Sequence, residues 1–141
     1  MIVSECMSRD VRVCSPDDTI RQAAAAMRGI DAGLLPVGEN DRLVGMITDR
    51  DIALRAVADG KGNDTPIRDV MTLDVQYCFE DDDLDDAALK MSDLQVRRLP
   101  VLDRDKRLVG IVSLGDISKS GDGRAEVALG GISRYGGEHR T

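Results

Sequence analysis

Residues 42–52 spell RLVGMITDRDI, and residues 107–117 spell RLVGIVSLGDI. The similarity extends beyond this stretch, since the tripeptide LPV stands at 35–37 and again at 99–101. A period of roughly 64 residues is too long for most solenoid arrays and is typical of two tandem copies of one supersecondary unit. The chain is therefore predicted to contain an internal duplication.

Both copies predict the same order of elements. Residues 11–14 are predicted to form a short strand, and the run SPDD at 15–18 is expected to provide the cap and the acidic first turn of a helix. Strands at 34–37 and 43–47 pair as a hairpin around a polar turn, and a last helix begins around Thr48. The apolar face of the first helix recurs in the second copy, as Ile20, Ala23, Ala24 and Met27, then Leu84, Ala87, Ala88 and Met91.

The repeated unit is therefore strand, helix, strand, strand, helix, which predicts an α/β (α+β) fold of two βαββα repeats. We place the first copy at 2–59, a polar linker at 60–65, the second copy at 66–119 and a Gly-rich tail without a counterpart at 120–141. A single copy of about 55 residues would leave one face of its sheet exposed, so the pair is expected to complete the core.

Charge and hydropathy exclude several classes of function. The net charge of -7 argues against binding to nucleic acid or to acidic membrane surfaces. No apolar stretch approaches the roughly 18 residues of a membrane span, and the first ten residues lack the basic and apolar regions of a secretory leader. We therefore expect a cytoplasmic protein with neither a nucleic-acid nor a membrane partner.

The residues that usually build metal and catalytic centres are few. Cys6, Cys14 and Cys78 form no CxxC pair, which argues against a disulfide framework or a cysteine zinc site. Cys14 and Cys78 occupy equivalent strand positions and are expected to be small buried packing residues. The acidic run at 80–86 lacks the ligand spacing of a calcium loop and is typical of a helix start. The single histidine, His139, stands in the Gly-rich tail and offers no Ser-His dyad. We predict neither a metal site nor a catalytic centre.

A hydroxyl and a carboxylate recur at the start of the last helix of each copy. The pairs are Thr48 with Asp51 and Ser113 with Asp116. In each pair the Thr or Ser hydroxyl is expected to lie beside unpaired N–H groups of the helix start, where a phosphate could bind. The carboxylate could accept both hydroxyls of a ribose. The same spacing is also that of a helix capping box, and the two interpretations are compatible.

Taken together, these features resemble a tandem pair of CBS (cystathionine-β-synthase) domains over about residues 2–119. The matching motifs are CMS at 6–8 and VMT at 70–72, LPV in both copies, and the pattern G-x-x-[ST]-x-x-D-I at 45–52 and 110–117. The resemblance implies that the repeats pack sheet to sheet about a pseudo-two-fold axis and leave two related clefts. In this family such clefts commonly bind AMP, ADP, ATP, NAD or S-adenosylmethionine, and stand-alone pairs usually form homodimers.

The resemblance also assigns residues to the two clefts. The first cleft would use Val11, Arg97, Arg98, Ile111, Ser113 and Asp116. The second cleft would use Met46, Thr48, Arg50, Asp51 and Val75. Gly33 and Leu34 stand where the second copy has its two arginines, and Arg50 is the remaining candidate for a phosphate-binding cation there. Unequal sites are therefore expected.

The sequence thus predicts a non-catalytic sensor that binds an adenine nucleotide and signals to an unidentified protein by a change of conformation. One alternative is a structural homodimerisation module whose capping boxes bind no ligand, which the lack of arginine at 33 and 34 supports. A nucleotide hydrolase is a third interpretation, with only the many carboxylates in its favour.

Overall fold

The structure, a computed structural model, describes residues 1–119. The predicted Gly-rich tail at 120–141, with His139, lies outside the described residues. The chain divides into two compact units. We call Arg12–Val75 the first-repeat unit, and Met1–Val11 together with the chain from Gln76 onward the second-repeat unit.

The first-repeat unit is a helix packed on a hairpin and followed by a second helical segment. Its elements are α1 (Ile20–Ile30), β1 (Leu34–Glu39), β2 (Arg42–Thr48), α2 (Asp49–Asp51) with a π-helical continuation (Ile52–Val57), and a 3-10 turn (Ile67–Asp69). β1 and β2 are antiparallel, with Leu35 opposite Ile47. Asn40 and Asp41 take φ values of 55° and 63°, the left-handed conformation that tight hairpin turns require.

The second-repeat unit repeats this order. Its elements are a 3-10 turn (Val3–Glu5), β3 (Cys78–Phe79), α3 (Leu84–Leu94), β4 (Arg98–Leu102), β5 (Leu108–Ser113) and α4 (Leu114–Ser118). β4 is the central strand, parallel to β3 and antiparallel to β5. The two hairpins, the helix before each and the helical start after each confirm the predicted repeat of mixed α/β units.

Aliphatic side chains and methionine build the core of each unit. Leu35, Ile47 and Ile67 are fully buried in the first-repeat unit. In the second-repeat unit, Val3 from the N-terminal segment is fully buried in the same cluster as Leu99. The segment Met1–Val11 thus completes the core around the second hairpin.

Three local predictions are wrong. The predicted strand at 11–14 is reduced to one bridge, in which Cys14 pairs in parallel with Val37, because only one residue reaches β1. The cap of α1 is Thr19, whose hydroxyl accepts a hydrogen bond from Gln22 N, and not a residue of the run at 15–18. Ala24 is exposed, since α1 turns Ala26 toward the core instead.

The earlier residues are not available to cap α1, because they form a turn of their own. The amide of Ser15 donates to Asp18 Oδ2 at 2.9 Å, and the amide of Asp18 donates to the Ser15 carbonyl at 3.0 Å.

None of the helices within residues 1–119 has the length and the apolar composition of a membrane-spanning segment.

Candidate functional site

The paired hydroxyl and carboxylate at the two helix starts form capping boxes. Thr48 Oγ1 accepts from the Asp51 amide at 2.9 Å, while the Thr48 amide donates to Asp51 Oδ2 at 3.1 Å. Ser113 Oγ accepts from the Asp116 amide at 3.1 Å, and the Ser113 amide donates to Asp116 Oδ2 at 2.9 Å. The capping interpretation is therefore confirmed in both repeats, and each box fixes the position of its carboxylate.

The residue before each LPV strand is tied to the same helix start. The amide of Asp49 donates to the Gly33 carbonyl at 2.9 Å, and the amide of Leu114 donates to the Arg97 carbonyl at 2.8 Å. In the second-repeat unit, Arg98 also lies opposite Ser113 in the strand register. The backbone therefore brings both arginines to the Ser113 helix start, whereas glycine occupies the corresponding place in the first-repeat unit.

A second segment lies against the last strand of each hairpin. Backbone hydrogen bonds join Met46 to Thr72 at 2.9 and 2.8 Å, and join Ile111 to Ser8 at 2.8 and 2.9 Å. The strand glycine before Met46 and before Ile111 allows this close approach. A Cβ on Gly110 would lie 2.7 Å from the Ser8 carbonyl oxygen, closer than side chains tolerate.

The carboxylate of the first-repeat unit is enclosed by further donors. Thr72 Oγ1 lies 3.3 Å from Asp51 Oδ1 and 3.2 Å from Asp51 Oδ2. Arg55 Nε lies 3.8 Å from Asp51 Oδ1, and Arg55 also donates to the Met71 carbonyl. Asp51 is only 9% exposed. This carboxylate is buried and already paired.

The carboxylate of the second-repeat unit has fewer partners. Asp116 is half-buried, and among residues 1–119 its side chain accepts a hydrogen bond from the Ser113 amide alone. Nearby in the fold, the Nε of Arg97 is buried without a hydrogen-bond partner in the described part of the chain. An unpaired donor on a cation, just before β4, and an accessible carboxylate, in the first turn of α4, therefore lie at the same end of the β4–β5 hairpin. This arrangement suits a ligand with an anionic group and hydroxyls.

The remaining predicted residues are distributed between the two units. Val11 is half-buried at the end of the N-terminal segment, and no hydrogen bond among the described residues joins it to Ser113 or Asp116. Arg50 is exposed, with its amide donating to Asp49 Oδ1 at 2.8 Å. Met46 is buried beside Thr72, whereas Val75 is half-buried within the first-repeat unit.

Sequence reasoning missed two residues that contact the carboxylate of the first-repeat unit. Thr72 belongs to the VMT motif, so its position was visible, but nothing in the motif shows that its hydroxyl contacts Asp51. Arg55 follows Asp51 by one helical turn, and this spacing is the available signal for an ion pair.

The buried cysteines behave as packing residues. Burial, with a smaller contribution from the negative charge of Asp82, raises the pKa of Cys78 to about 12. Burial is also the main cause that raises the pKa of Cys14. Thiols held in the protonated form are poor nucleophiles and poor metal ligands, which agrees with the predicted structural role.

The acidic run begins a helix, as predicted. Asp83 caps α3 by accepting from the Asp85 amide at 3.0 Å, and Asp81 pairs with Arg104 at 2.7 Å. In the portion of the chain that the structure describes, no group of three or more His, Cys, Asp or Glu residues is placed to hold a metal ion.

Comparisons with known proteins identify the repeated unit. The CBS domain matches residues 3–57 and 67–122. The CBS domain-containing protein YhcV of Bacillus subtilis is 42% identical over 116 residues, which span 82% of each protein.

Two solved structures that resemble this chain contain a ligand. The CBS domain pair of protein MJ0100, in complex with 5-methylthioadenosine and S-adenosyl-L-methionine, has a TM-score of 0.73 and 33% identity, and covers 88% of this chain and 98% of its own. CBSX2 in complex with AMP has a TM-score of 0.74 and 25% identity, and covers 85% of this chain and 95% of its own.

Proposed function

The chain belongs to the CBS-domain family, and from that premise we propose that it is a regulatory module that binds an adenine nucleotide. The bound ligands of MJ0100 and CBSX2, S-adenosyl-L-methionine with 5-methylthioadenosine and AMP, all contain adenosine. Their similarity to this chain supports a ligand of the same class. We place its principal site in the second-repeat unit, at the Ser113 helix start.

The observation that carries this placement is the state of Asp116. Its carboxylate is half-buried and, within residues 1–119, bonded only to the amide of Ser113, so it retains acceptor positions for the two hydroxyls of a ribose. Arg97 and Arg98 supply positive charge on the adjoining strand, and the buried Nε of Arg97 has no described partner. Arginine suits phosphate because its planar donors bind two oxygens at once.

The other predicted residues take supporting roles in this proposal. Ile111 and Val11 offer apolar surface for the adenine ring, and Ser113 keeps the helix start in place. The family's second site would use Met46, Thr48, Arg50, Asp51 and Val75 in the first-repeat unit. We expect that site to bind more weakly, because glycine replaces the arginine before its LPV strand and because Asp51 is already paired.

Isothermal titration with AMP, ATP, NAD and S-adenosylmethionine tests the proposal. Asp116→Asn keeps an oxygen that can accept from the Ser113 amide but removes the charge, so the fold is preserved while the affinity for nucleotide should fall at least about tenfold. The matched control is Asp86→Asn, which removes the same charge from the exposed face of α3. Equal binding by both variants would refute the site, and no heat from any ligand would refute the function.

We propose that the nucleotide is sensed rather than converted. It would favour the conformation that it binds more tightly, and a partner protein would recognise that conformation. Hydrogen exchange around Ser113 should slow when AMP saturates the protein. ATP and NAD incubated with the protein should be recovered unaltered, and any hydrolysed product would support the enzyme alternative instead.

We further propose that the protein is a homodimer. Leu54 and Val57 project from the π-helical segment with exposures of 51% and 69%, which leaves an apolar surface on the first-repeat unit. The same surface favours the alternative of a purely structural dimerisation module. Sedimentation equilibrium should give a dimer that Val57→Lys weakens and that Leu89→Lys, a control at an exposed leucine of α3, leaves intact. A monomeric wild-type protein would refute both the proposed homodimer and the alternative of a structural dimerisation module.

A further inference from the structure

The paired carboxylates at the two helix starts differ in one respect that the repeat does not predict. Asp51 receives the hydroxyl of Thr72 across both of its oxygens, at 3.3 and 3.2 Å, and faces the Arg55 guanidinium at 3.8 Å. Arg55 is itself held by a hydrogen bond to the Met71 carbonyl at 3.3 Å. We call Thr72 and Arg55 together the Asp51 clamp.

We infer that the Asp51 clamp weakens nucleotide binding at the site of the first-repeat unit, so that Thr72 and Arg55 decide which of the two sites fills first. The inference rests on the proposed function, because it concerns how readily a ribose reaches one of the two carboxylates. It differs from that proposal in naming residues that oppose binding, neither of which belongs to the predicted site.

The acceptor capacity of a carboxylate explains the effect. Two oxygens offer about four acceptor positions, and a ribose that binds through both hydroxyls needs one on each oxygen. In Asp51, Oδ2 already accepts from the Thr48 amide, and Thr72 spans Oδ2 and Oδ1. Since Asp51 is only 9% exposed, a ribose can bind only if the Thr72 hydroxyl is displaced. Displacing a hydrogen bond to a charged group weakens binding by about tenfold or more.

Within residues 1–119, the second-repeat unit shows neither part of the clamp. Ser8 occupies the position of Thr72 and makes the same backbone pairing to the neighbouring strand. Among the described residues, however, Ser8 donates no hydrogen bond to Asp116, whose side chain accepts only from Ser113. Arg55 follows Ile52 by three positions, and the residue three positions after Ile117 is Ser120, which carries no charge. The two sites are therefore expected to fill in order, the second-repeat site first.

Thr72→Val in an Asp116→Asn background tests the clamp, with AMP as the probe. Asp116→Asn weakens the second-repeat site, so a gain in AMP affinity when Thr72→Val is added to it reports the first-repeat site. Valine keeps the shape of threonine and removes the hydroxyl, and we expect AMP to bind about tenfold more tightly than it binds Asp116→Asn alone. Thr72→Ser, which retains a hydroxyl, and Ser8→Ala in the same background are the controls, and neither should increase the affinity.

Each outcome of this titration separates the clamp from the proposed function. Unchanged or weaker AMP binding by the folded Thr72→Val variant overturns the clamp, whereas the proposed function then stands on the wild-type titration. If the wild type binds no AMP but Thr72→Val does, the principal site is misplaced and the clamp is supported. Binding by neither protein overturns both. Should Thr72→Val fail to fold, as judged by circular dichroism, Arg55→Gln removes the other half of the clamp and carries the same expectation.

Discussion

Single residues show where the duplicated sequence is constrained by close packing. A Cβ on Gly110 would lie 2.7 Å from both Met7 Sδ and the Ser8 carbonyl oxygen. The backbone oxygen is held by its bond to the Ile111 amide and cannot move aside cheaply. The glycine shared by LVGMI and LVGIV is therefore explained by the segment that crosses its strand, which the repeat alone does not indicate.

Replacing Gly110 by alanine should destabilise the protein by roughly 1 to 3 kcal/mol, the usual cost of forcing a methyl group into a filled space. The matched control is Gly29→Ala in α1, where nothing lies within 4 Å of the added carbon. Alanine favours the helix there and should stabilise by up to about 1 kcal/mol. Urea denaturation measures both. Equal effects of the same sign would contradict the role assigned to Gly110.

The three cysteines should differ in reactivity toward iodoacetamide at pH 8. Cys6 is half-buried, whereas Cys14 and Cys78 are buried, with the pKa of Cys78 raised to about 12 and that of Cys14 raised by the same cause. Only a thiolate reacts, so Cys6 should be alkylated first and the other two only upon unfolding. Peptide mass spectrometry after timed labelling measures the order.

A control in denaturant must show all three cysteines reacting at similar rates. Early modification of Cys78 in the folded protein would contradict its burial.

The raised pKa of Cys78 also makes the stability of the folded state depend on pH. Because the folded state disfavours the thiolate, this contribution to stability is present below the ordinary thiol pKa of 9.0 and decreases as the pH rises toward about 12.

Among the elements, α1 shows how a capping motif selects one residue from several candidates. Thr19 accepts from the Gln22 amide at 3.1 Å, and Gln22 Oε1 accepts from the Thr19 amide at 2.8 Å. Ser15 and Asp18 have the right chemistry for a cap but bond to one another in the preceding turn. The cap is therefore decided by the turn, and not by residue type.

Thr19→Ala should destabilise the protein by about 1 kcal/mol, the typical value of an N-cap hydroxyl. Ser15→Ala is the comparison, since within residues 1–119 Ser15 Oγ accepts only a long bond of 3.3 Å from the Asp17 amide and should contribute less. Thermal unfolding followed by circular dichroism measures the two variants. A larger loss of stability for Ser15→Ala than for Thr19→Ala would support the cap within residues 15–18 that the sequence predicts.

The elements also show what the sequence could predict and why the rest was missed. The hairpins around LPV and the helix starts at Thr48 and Ser113 were predicted correctly, because they depend on local alternation and on a capping pattern of four residues. The strand at 11–14 was not, because its pairing is a single long-range bridge from Cys14 to Val37. The contact of Thr72 with Asp51 was missed for the same reason, since the two residues are distant in sequence.

At the scale of the whole molecule, the two repeats exchange their first segments. The N-terminal segment contributes Val3 and Met7 to the second-repeat core, while Ile67 and Val70, which follow the linker, are buried in the first-repeat core. The repeat boundaries in the sequence assign these segments the other way round. The sequence repeat cannot reveal this exchange. Because the two copies have similar core residues, the segment before either copy could pack on either core.

The exchange predicts that deleting residues 1–8 weakens one unit in preference to the other. The deletion removes Val3, which is fully buried, and Met7, which is 9% exposed, from the second-repeat core. Loss of buried side chains of this size costs about 2 to 5 kcal/mol each. Amide hydrogen exchange in α3 and β5 should therefore accelerate by at least about tenfold, whereas α1 and β1 keep more of their protection.

The matched control for this deletion is Val3→Ala together with Met7→Ala in the full-length chain. Truncating the two side chains should reproduce the same pattern of exchange to a smaller extent, because the backbone bonds of Ser8 to Ile111 are retained. Faster exchange in α1 than in α3, or equal acceleration in both, would show that the segment Met1–Val11 does not belong to the second-repeat unit. Acceleration confined to α3 and β5 would show that the N-terminal segment stabilises the second-repeat core.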